Sequence, residues 1–341
     1  MLVQFYCMTY LVAFLASMAG YFAVIAVFPK LGLLDFPERY GLQRPRLPYP
    51  AGIVAVVVFL SFFAWHSEFR EQQIGVMIAV GLLGIVSFID DRTPLSPWVR
   101  LLVQILAAFT VFAAGSRIYT LTNPLGGILK LDTFIVNAGP LGTLPVLAGI
   151  FTVAWLLFTT NAMNWLDGVS GQVSIVSFIA FVMLGLLALL RNGEPRTAEI
   201  AFILAGIALA GCLFDFPPAK VLMGDTGSMF FGFMLGLLGV YSGGKVATVF
   251  LALGVPLLDA LFVIIRRISR GDSPLRGGRD HLHHLLLDRG YSERQVILII
   301  ASIGTAFGVG ALFMNTAEKG LAILALVIGV FLITSLARKT K

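Results

Sequence analysis

Charge is what this 341-residue chain has least of. Only 12% of its residues are Asp, Glu, Lys or Arg, about half the share found in a soluble globular domain. Hydrophobic residues make up 58% and the mean hydropathy is +0.93, which excludes a water-soluble architecture. The apolar runs are continuous and lack the ten-residue alternation of barrel strands, so a transmembrane β-barrel is excluded too. No internal repeat or low-complexity tract is present. The N-terminal run has no basic segment before it, has Lys30 after it, and exceeds the apolar stretch of a signal peptide, so it reads as a retained span. The two cysteines, Cys7 and Cys212, lie in apolar segments and read as small core residues with no bearing on redox compartment. The net charge of +6 implies no nucleic-acid partner, because the basic residues sit beside helix ends. Membrane topology and attraction to anionic lipid account for it.

What is present is a succession of apolar segments. The expectation is one integral-membrane domain over residues 1–341, all-α, with about eleven transmembrane helices. They fall at roughly 2–28, 50–65, 73–89, 98–115, 143–163, 171–190, 197–213, 227–242, 244–265, 294–313 and 319–336. Ser242-Gly243-Gly244 between the eighth and ninth reads as a tight turn. Assigning loops alternately, and counting the helix-flanking Arg100 and Arg294, puts 17 Lys and Arg on one side and 7 on the other. The richer side is expected in the cytoplasm, with the N-terminus outside and the C-terminus inside. Two loops are long. The outer loop 116–142 contains Gly127-Ile128-Leu129-Lys130-Leu131 and Thr133-Phe134-Ile135-Val136, which predict a small β-hairpin. The inner loop 266–293 carries six arginines and three histidines.

The densest polar clusters all fall on the basic-rich side, a result independent of the Lys and Arg used to define it. Asp90-Asp91 ends the third span; adjacent carboxylates repel unless a cation is near, although a charged helix end is an ordinary feature. Asn161, Asn164 and Asp167 recur at i, i+3 and i+6, near one helical face. Capping before Gly168 explains one of the three. Met223-Gly224-Asp225-Thr226-Gly227-Ser228 is a glycine-opened turn whose following helix can offer amides to an anion. A single Asp there suffices for Mg²⁺, which takes one or two carboxylates plus substrate phosphate oxygens. His281-Leu282-His283-His284 lacks the further ligands of a zinc site and, among arginines, looks more like a phosphate-binding surface. Asp259 lies inside a span, where it is either functional or a helix-to-helix hydrogen-bonding group.

These residues resemble, in order along most of the chain, the polyprenyl-phosphate N-acetylhexosamine-1-phosphate transferases. Gly32-Leu33-Leu34-Asp35-x-Pro37 looks like the family's first cytoplasmic loop and Asp90-Asp91 like its acidic pair. Asn161-Ala162-Met163-Asn164-x-x-Asp167-Gly168 and Pro218-Ala219-Lys220-Val221-x-Met223-Gly224-Asp225-Thr226-Gly227-Ser228 resemble its central motifs. Arg266-Arg267, Ser273-Pro274 and Arg279-x-His281-Leu282-His283-His284 resemble its last loop, closer to the undecaprenyl-phosphate N-acetylglucosamine-1-phosphate branch. The resemblance implies transfer of a sugar 1-phosphate from a UDP-sugar to undecaprenyl phosphate with release of UMP. That would be the first membrane step of a cell-envelope glycan such as cell wall or lipopolysaccharide. The enzyme would sit in the bacterial plasma membrane with its site on the cytoplasmic face, and a homodimer is the oligomer to expect.

The resemblance further assigns Asp225 to Mg²⁺ or Mn²⁺, with Asp167 supporting the metal or the pyrophosphate. Arg279, His281, His283 and His284 would hold phosphate, and Asn161, Asn164, Asp215 and Lys220 would bind substrate. Asp90 and Asp91 would act in catalysis by positioning or metal relay, since a phosphate monoester with a second pKa near ~6 needs little deprotonation. Two positions depart from the family pattern: Ser170 stands where many members have Asp, and Asp215 where they have Asn. Both are expected near the nucleotide base, which leaves the nucleotide-sugar open and admits a catalytically altered relative. A CDP-alcohol phosphotransferase would continue Asp-Gly-x-x-Ala-Arg, whereas Asp167-Gly168 runs into Val169-Ser170-Gly171-Gln172. A secondary transporter would place its acids near midplane between inverted repeats.

Overall fold

In hydrocarbon a backbone amide has no water to bond, so an apolar chain closes its hydrogen bonds inside each helix. The computed structural model follows that rule; it describes residues 2–40, 44–66, 70–123, 127–139, 142–242, 246–273 and 278–338. The helices in chain order are α1 (Leu2–Val27), α2 (Ile53–Trp65), α3 (Glu71–Arg92), α4 (Pro97–Ala113), α5 (Val146–Leu166), α6 (Gln172–Leu187) and α7 (Pro195–Asp215). They continue with α8 (Gly224–Tyr241), α9 (Val246–Ala252), α10 (Gly254–Ser269), α11 (Leu282–Asp288), α12 (Glu293–Phe313) and α13 (Thr316–Arg338). Helix therefore occupies each of the eleven apolar segments read from the sequence. Among the described residues seven helices are long and apolar enough to cross a membrane, or eight if the bent pair α9–α10 is one span. The chain is therefore an all-helical, multi-pass membrane protein with seven or eight candidate spans, α2 and α4 being shorter apolar helices. The expected turn at Gly243-Gly244, together with Lys245, Pro274 and Arg276, lies outside the described residues.

The bundle is organised around α8. Every residue of α8 except Asp225 and Tyr241 is buried, beneath α5, α3, α6 and α2. A helix that never meets lipid need not be apolar at both ends, and α8 opens on the polar run Gly224–Ser228. It approaches α5 closely through small residues, the device by which membrane helices gain dispersion contact. A Cβ at Gly232 would lie 2.7 Å from the Thr159 carbonyl oxygen and 2.8 Å from the Thr160 Cα. At the periphery α13 turns Leu321, Leu324, Ile328 and Phe331 outward, as a lipid-facing helix does. Trp65 and Trp98 are exposed at opposite ends of the bundle, the position aromatic side chains take at membrane interfaces.

The span expected at 244–265 is broken: α9 and α10 meet at 90°. Pro256, in the first turn of α10, has no N–H with which to carry the hydrogen-bond ladder across from α9. The 116–142 loop forms two hairpins where one was expected. Strand β1 (Thr120–Thr122) pairs antiparallel with β2 (Ile128–Lys130), Thr120 opposite Lys130. Strand β3 (Ile135–Asn137) pairs with β4 (Thr143–Pro145), Ile135 opposite Pro145. Both lie at the end of the bundle away from the polar clusters.

Because backbone atoms of α5 oppose Gly232, the neighbour cannot give way as a flexible side chain would. Gly232→Ala is expected to destabilise the protein by about 1–3 kcal/mol, the usual cost of overpacking. Gly329→Ala, where a Cβ would meet nothing within 4 Å, is expected to be neutral or slightly stabilising. Thermal unfolding of both variants in detergent checks this; equal melting temperatures would contradict the packing described for α8.

Candidate active site

The first turn of a helix leaves backbone N–H groups without partners, and α8 begins inside the protein. Asp91, at the end of α3, supplies what they need. Its carboxylate accepts from the Asp225 and Thr226 amides, each at 2.9 Å, and from the Thr226 hydroxyl at 2.5 Å. The Tyr49 hydroxyl donates to it at 2.5 Å. Burial, followed by the Asp91 charge, pushes the Tyr49 phenol well above its usual range, so it stays a neutral donor. Asp91 therefore acts as a helix cap delivered from another helix, and it places Asp225 at the bundle's surface.

Asp90 faces the other way. One of its oxygens accepts from the Leu95 amide at 2.6 Å, closing the turn into α4, and the other meets Arg100 Nε at 3.2 Å. Arg100 is the hub of the site. Its Nη2 lies 2.7 Å from Asp225 Oδ2 and donates to Asn164 Oδ1 at 3.1 Å. One turn along α4, Gln104 exchanges amide hydrogen bonds with Asn161 at 2.6 and 3.3 Å. The four residues make a two-rung ladder, Arg100 to Asn164 and Gln104 to Asn161, which uses the i, i+3 spacing on α5. Asn164 also donates to the Ser228 hydroxyl at 3.1 Å.

The ladder forms one wall of a cavity of about 390 Å³. Asp167 and Asp225 line it together with Trp165 and Gly168, and so do Arg267, His281, His283 and His284. Asp167 follows the last residue of α5. Burial, then the charges of Asp215, Asp225 and Asp91, raise its carboxyl well above the usual range. His283 is held well below the ordinary imidazole value by burial, then by His284, His281 and Arg279. Its Nε2 is buried without a hydrogen-bond partner among the described residues, and Gly168 packs so closely on it that a side chain there would collide. His284 is shifted down as well, chiefly by burial. Among the described residues no three His, Cys, Asp or Glu side chains form a closed metal cage. Two crowded carboxylates on an open cavity nevertheless suit a hard divalent cation that completes its shell with water and phosphate oxygens.

The sequence-predicted residues divide accordingly. Asn161, Asn164, Asp167, Asp225, His281, His283 and His284 converge on the cavity, and Asp90 reaches it through Arg100. Asp91 serves the start of α8. Asp215, expected near the nucleotide base, does not line the cavity. It is 1% exposed, and one oxygen accepts from the Gly171 amide at 2.8 Å and the Ser174 hydroxyl at 3.2 Å. Like Asp91, it caps a buried helix start, here that of α6. Ser170 is likewise absent from the cavity lining. Lys220 is exposed, its Nζ 5.8 Å from the Phe214 ring, and Arg279 is exposed and paired with Asp288 at 3.0 Å; neither lines the cavity.

Arg100 and Gln104 escaped the sequence reading, which counted Arg100 only as a helix-flanking cation. A signal was available. Arg100 is the fourth residue of α4, and a cation near a helix N-terminus opposes the helix dipole; it is stable there only with acids close by.

A family model described as glycosyl transferase family 4 matches residues 73–243. A Mycobacterium leprae (strain TN) protein named decaprenyl-phosphate N-acetylglucosaminephosphotransferase is 31% identical, over 96% of this chain and 88% of its own length. A Bacillus subtilis (strain 168) protein named probable undecaprenyl-phosphate N-acetylglucosaminyl 1-phosphate transferase is 26% identical over 91% of this chain and 85% of its own. For the Yersinia pestis undecaprenyl-phosphate alpha-N-acetylglucosaminyl 1-phosphate transferase the values are 29%, 84% and 78%.

If Asp215 is a cap, removing it costs stability and leaves the cavity intact. Asp215→Ala strands a buried amide, a loss of about 1–3 kcal/mol, while Asp215→Asn keeps an acceptor and is expected to lose less. UMP affinity per folded molecule, measured by calorimetry, should be the same in both variants and the native protein. A selective loss of UMP affinity with unchanged melting temperature would return Asp215 to the base-binding role.

Proposed function

The chain belongs to glycosyl transferase family 4, and on that footing we propose that it transfers N-acetylglucosamine 1-phosphate from UDP-N-acetylglucosamine to undecaprenyl phosphate, releasing UMP. The observation that carries this reading is the cavity lined at once by Asp225 and Asp167 and by Arg267 and three histidines. Carboxylates and cationic or hydrogen-bonding groups on one cavity suit a pyrophosphate bound with a divalent cation. The names of the relatives supply the sugar and the class of lipid.

The reaction joins two anions, so its barrier is largely repulsion and alignment. The acceptor is a phosphate monoester, mostly ionised at neutral pH, and needs little help from a base. Its oxygen attacks the sugar-bearing phosphorus of the donor. A new phosphoanhydride forms, the bond to the UMP phosphate breaks, and UMP leaves with the bridging oxygen. Mg²⁺ or Mn²⁺, held by Asp225 and Asp167, would supply the positive charge that offsets the pyrophosphate. His281, His284 and Arg267 contribute hydrogen bonds to phosphate oxygens, and His283, its Nε2 packed against Gly168, shapes the lining beside Asp167. Arg100 bridges Asp90, Asp225 and Asn164; with substrate present it can donate to phosphate while remaining paired with Asp90. Asp91 keeps Asp225 in place from behind.

Asp225→Asn is expected to lower turnover by on the order of 10²-fold or more. The assay incubates purified protein with radiolabelled UDP-N-acetylglucosamine, undecaprenyl phosphate and Mg²⁺, and separates lipid product from UMP. The variant should remain folded, and its melting temperature should lose the rise that Mg²⁺ gives the native protein. Near-normal turnover would place the metal elsewhere, and a native protein that makes no lipid product would remove the reading.

The polar end of the bundle faces the cytoplasm in this reading, supported by the 17-to-7 division of Lys and Arg. In a background of Cys7→Ala and Cys212→Ala, Asp280→Cys should react with a membrane-impermeant maleimide only after the inner face is opened. Lys130→Cys should react in intact cells. Labelling of both from the same side would sink this topology.

A further inference from the structure

Asp259 is an acid inside the broken span, and the reaction just described makes no use of it. Both it and His281 are almost fully buried, at 6% and 5% exposure. His281 Nδ1 lies 2.7 Å from Asp259 Oδ2, and the Leu282 amide donates to Oδ1 at 2.8 Å. An ionised carboxylate can only accept, so the proton of that contact sits on Nδ1, and Nε2 is the ring nitrogen available to a ligand. His281 lines the cavity, with the Trp165 ring 5.7 Å from its own and the His283 ring parallel to it at 5.9 Å. The segment carrying it is anchored from a distance. Arg338 of α13 donates to the Asp280 carbonyl at 3.1 Å, and Arg289 donates to the carbonyls of Leu336 and Ala337 at the end of α13.

We propose that Asp259 is a positioning residue that orients His281, fixing its proton on Nδ1 so that Nε2 addresses a phosphate oxygen of the nucleotide in the cavity. The substrate named here rests on the transferase reading above; the Asp259–His281 coupling does not. When a phosphate is bound, Nε2 takes up a proton from the phosphate monoester or from solvent and donates it in a hydrogen bond to a phosphate oxygen, and Asp259 balances the resulting imidazolium from the far side. The arrangement has the logic of a carboxylate orienting an imidazole in acyl-transfer enzymes, applied to binding an anion. It also separates two neighbouring histidines by their surroundings. His281 has an acid behind it, whereas His283, two residues on, has a buried Nε2 with no hydrogen-bond partner among the described residues.

A purely structural role is the alternative, because Asp259 also caps the first amide of α11. Asp259→Asn tells the two apart. The amide oxygen still accepts from Leu282, so the cap survives, but the amide nitrogen then faces Nδ1 and donates to it. That drives the imidazole proton to Nε2 and removes the balancing charge. Three measurements follow: the melting temperature, UMP affinity by calorimetry, and the nitrogen spectrum of the histidine-labelled protein, with His281 identified by its loss in His281→Gln.

The expected result for Asp259→Asn is a melting temperature close to native, UMP bound about tenfold or more weakly, and a His281 signal moved from the Nδ1–H to the Nε2–H form. The double variant Asp259→Asn with His281→Gln should bind UMP no more weakly than His281→Gln alone, since the acid acts through the imidazole. Losses that add, or a His281 signal unchanged in Asp259→Asn, would overturn the proposal and leave Asp259 a helix cap. The spectrum reads the coupling without turnover. A native protein that shows the coupling yet makes no lipid product would count against the transferase reading alone.

Discussion

Everything at the polar end of this protein depends on how the buried start of α8 is satisfied. A helix beginning inside a membrane bundle presents unpaired amides, and leaving one unsatisfied costs several kcal/mol where no water can reach. Asp91 meets that demand from a helix more than a hundred residues away in sequence, taking the Asp225 and Thr226 amides and the Thr226 hydroxyl. The same bonds hold Asp225 at the mouth of the cavity, one of two α8 residues that are not buried. Structural demand and functional placement are thus one set of contacts. Asp215 repeats the device at α6, and Asp259 repeats it at α11 while also holding a histidine.

The second constraint is electrostatic. Four carboxylates, those of Asp90, Asp91, Asp167 and Asp225, gather at one end of the bundle, and in a poorly solvated place like charges raise the cost of ionisation. Arg100 meets two of them directly and Asn164 besides. Among the described residues Asp167 has no such cation, and its carboxyl is raised by burial and by its acidic neighbours. The cavity therefore combines a carboxylate without a paired cation and a set of cationic and hydrogen-bonding groups. An anionic ligand arriving with a divalent cation satisfies both, which is why the site favours phosphoryl transfer over a midplane ion path.

Several residues changed meaning once their partners were known. Asp90 and Asp91 are adjacent in sequence and read as a pair, yet one bonds Arg100 and the α4 turn while the other caps α8. Asp215, expected near the base, also bonds the Gly171 amide and the Ser174 hydroxyl at the start of α6. Arg100, read as a charge beside a helix end, holds the acidic wall together. The i, i+3 reading of Asn161 and Asn164 survived intact because it rests on helix geometry alone, and α4 supplies the matching rungs Arg100 and Gln104.

Hydropathy, helical period and the order of the motifs are local properties. The sequence by itself therefore determined the all-helical membrane class, the apolar segments, the collection of polar clusters at one end and the family. Tertiary structure decided which polar group turns into the cavity and which turns to a buried helix end. That choice depends on unpaired amides, charges and close approaches contributed by helices distant along the chain. It also decided that α8 sits at the centre, where the small residues facing α5 set its depth, and that the ninth apolar segment bends by 90°, leaving Asp259 beneath His281.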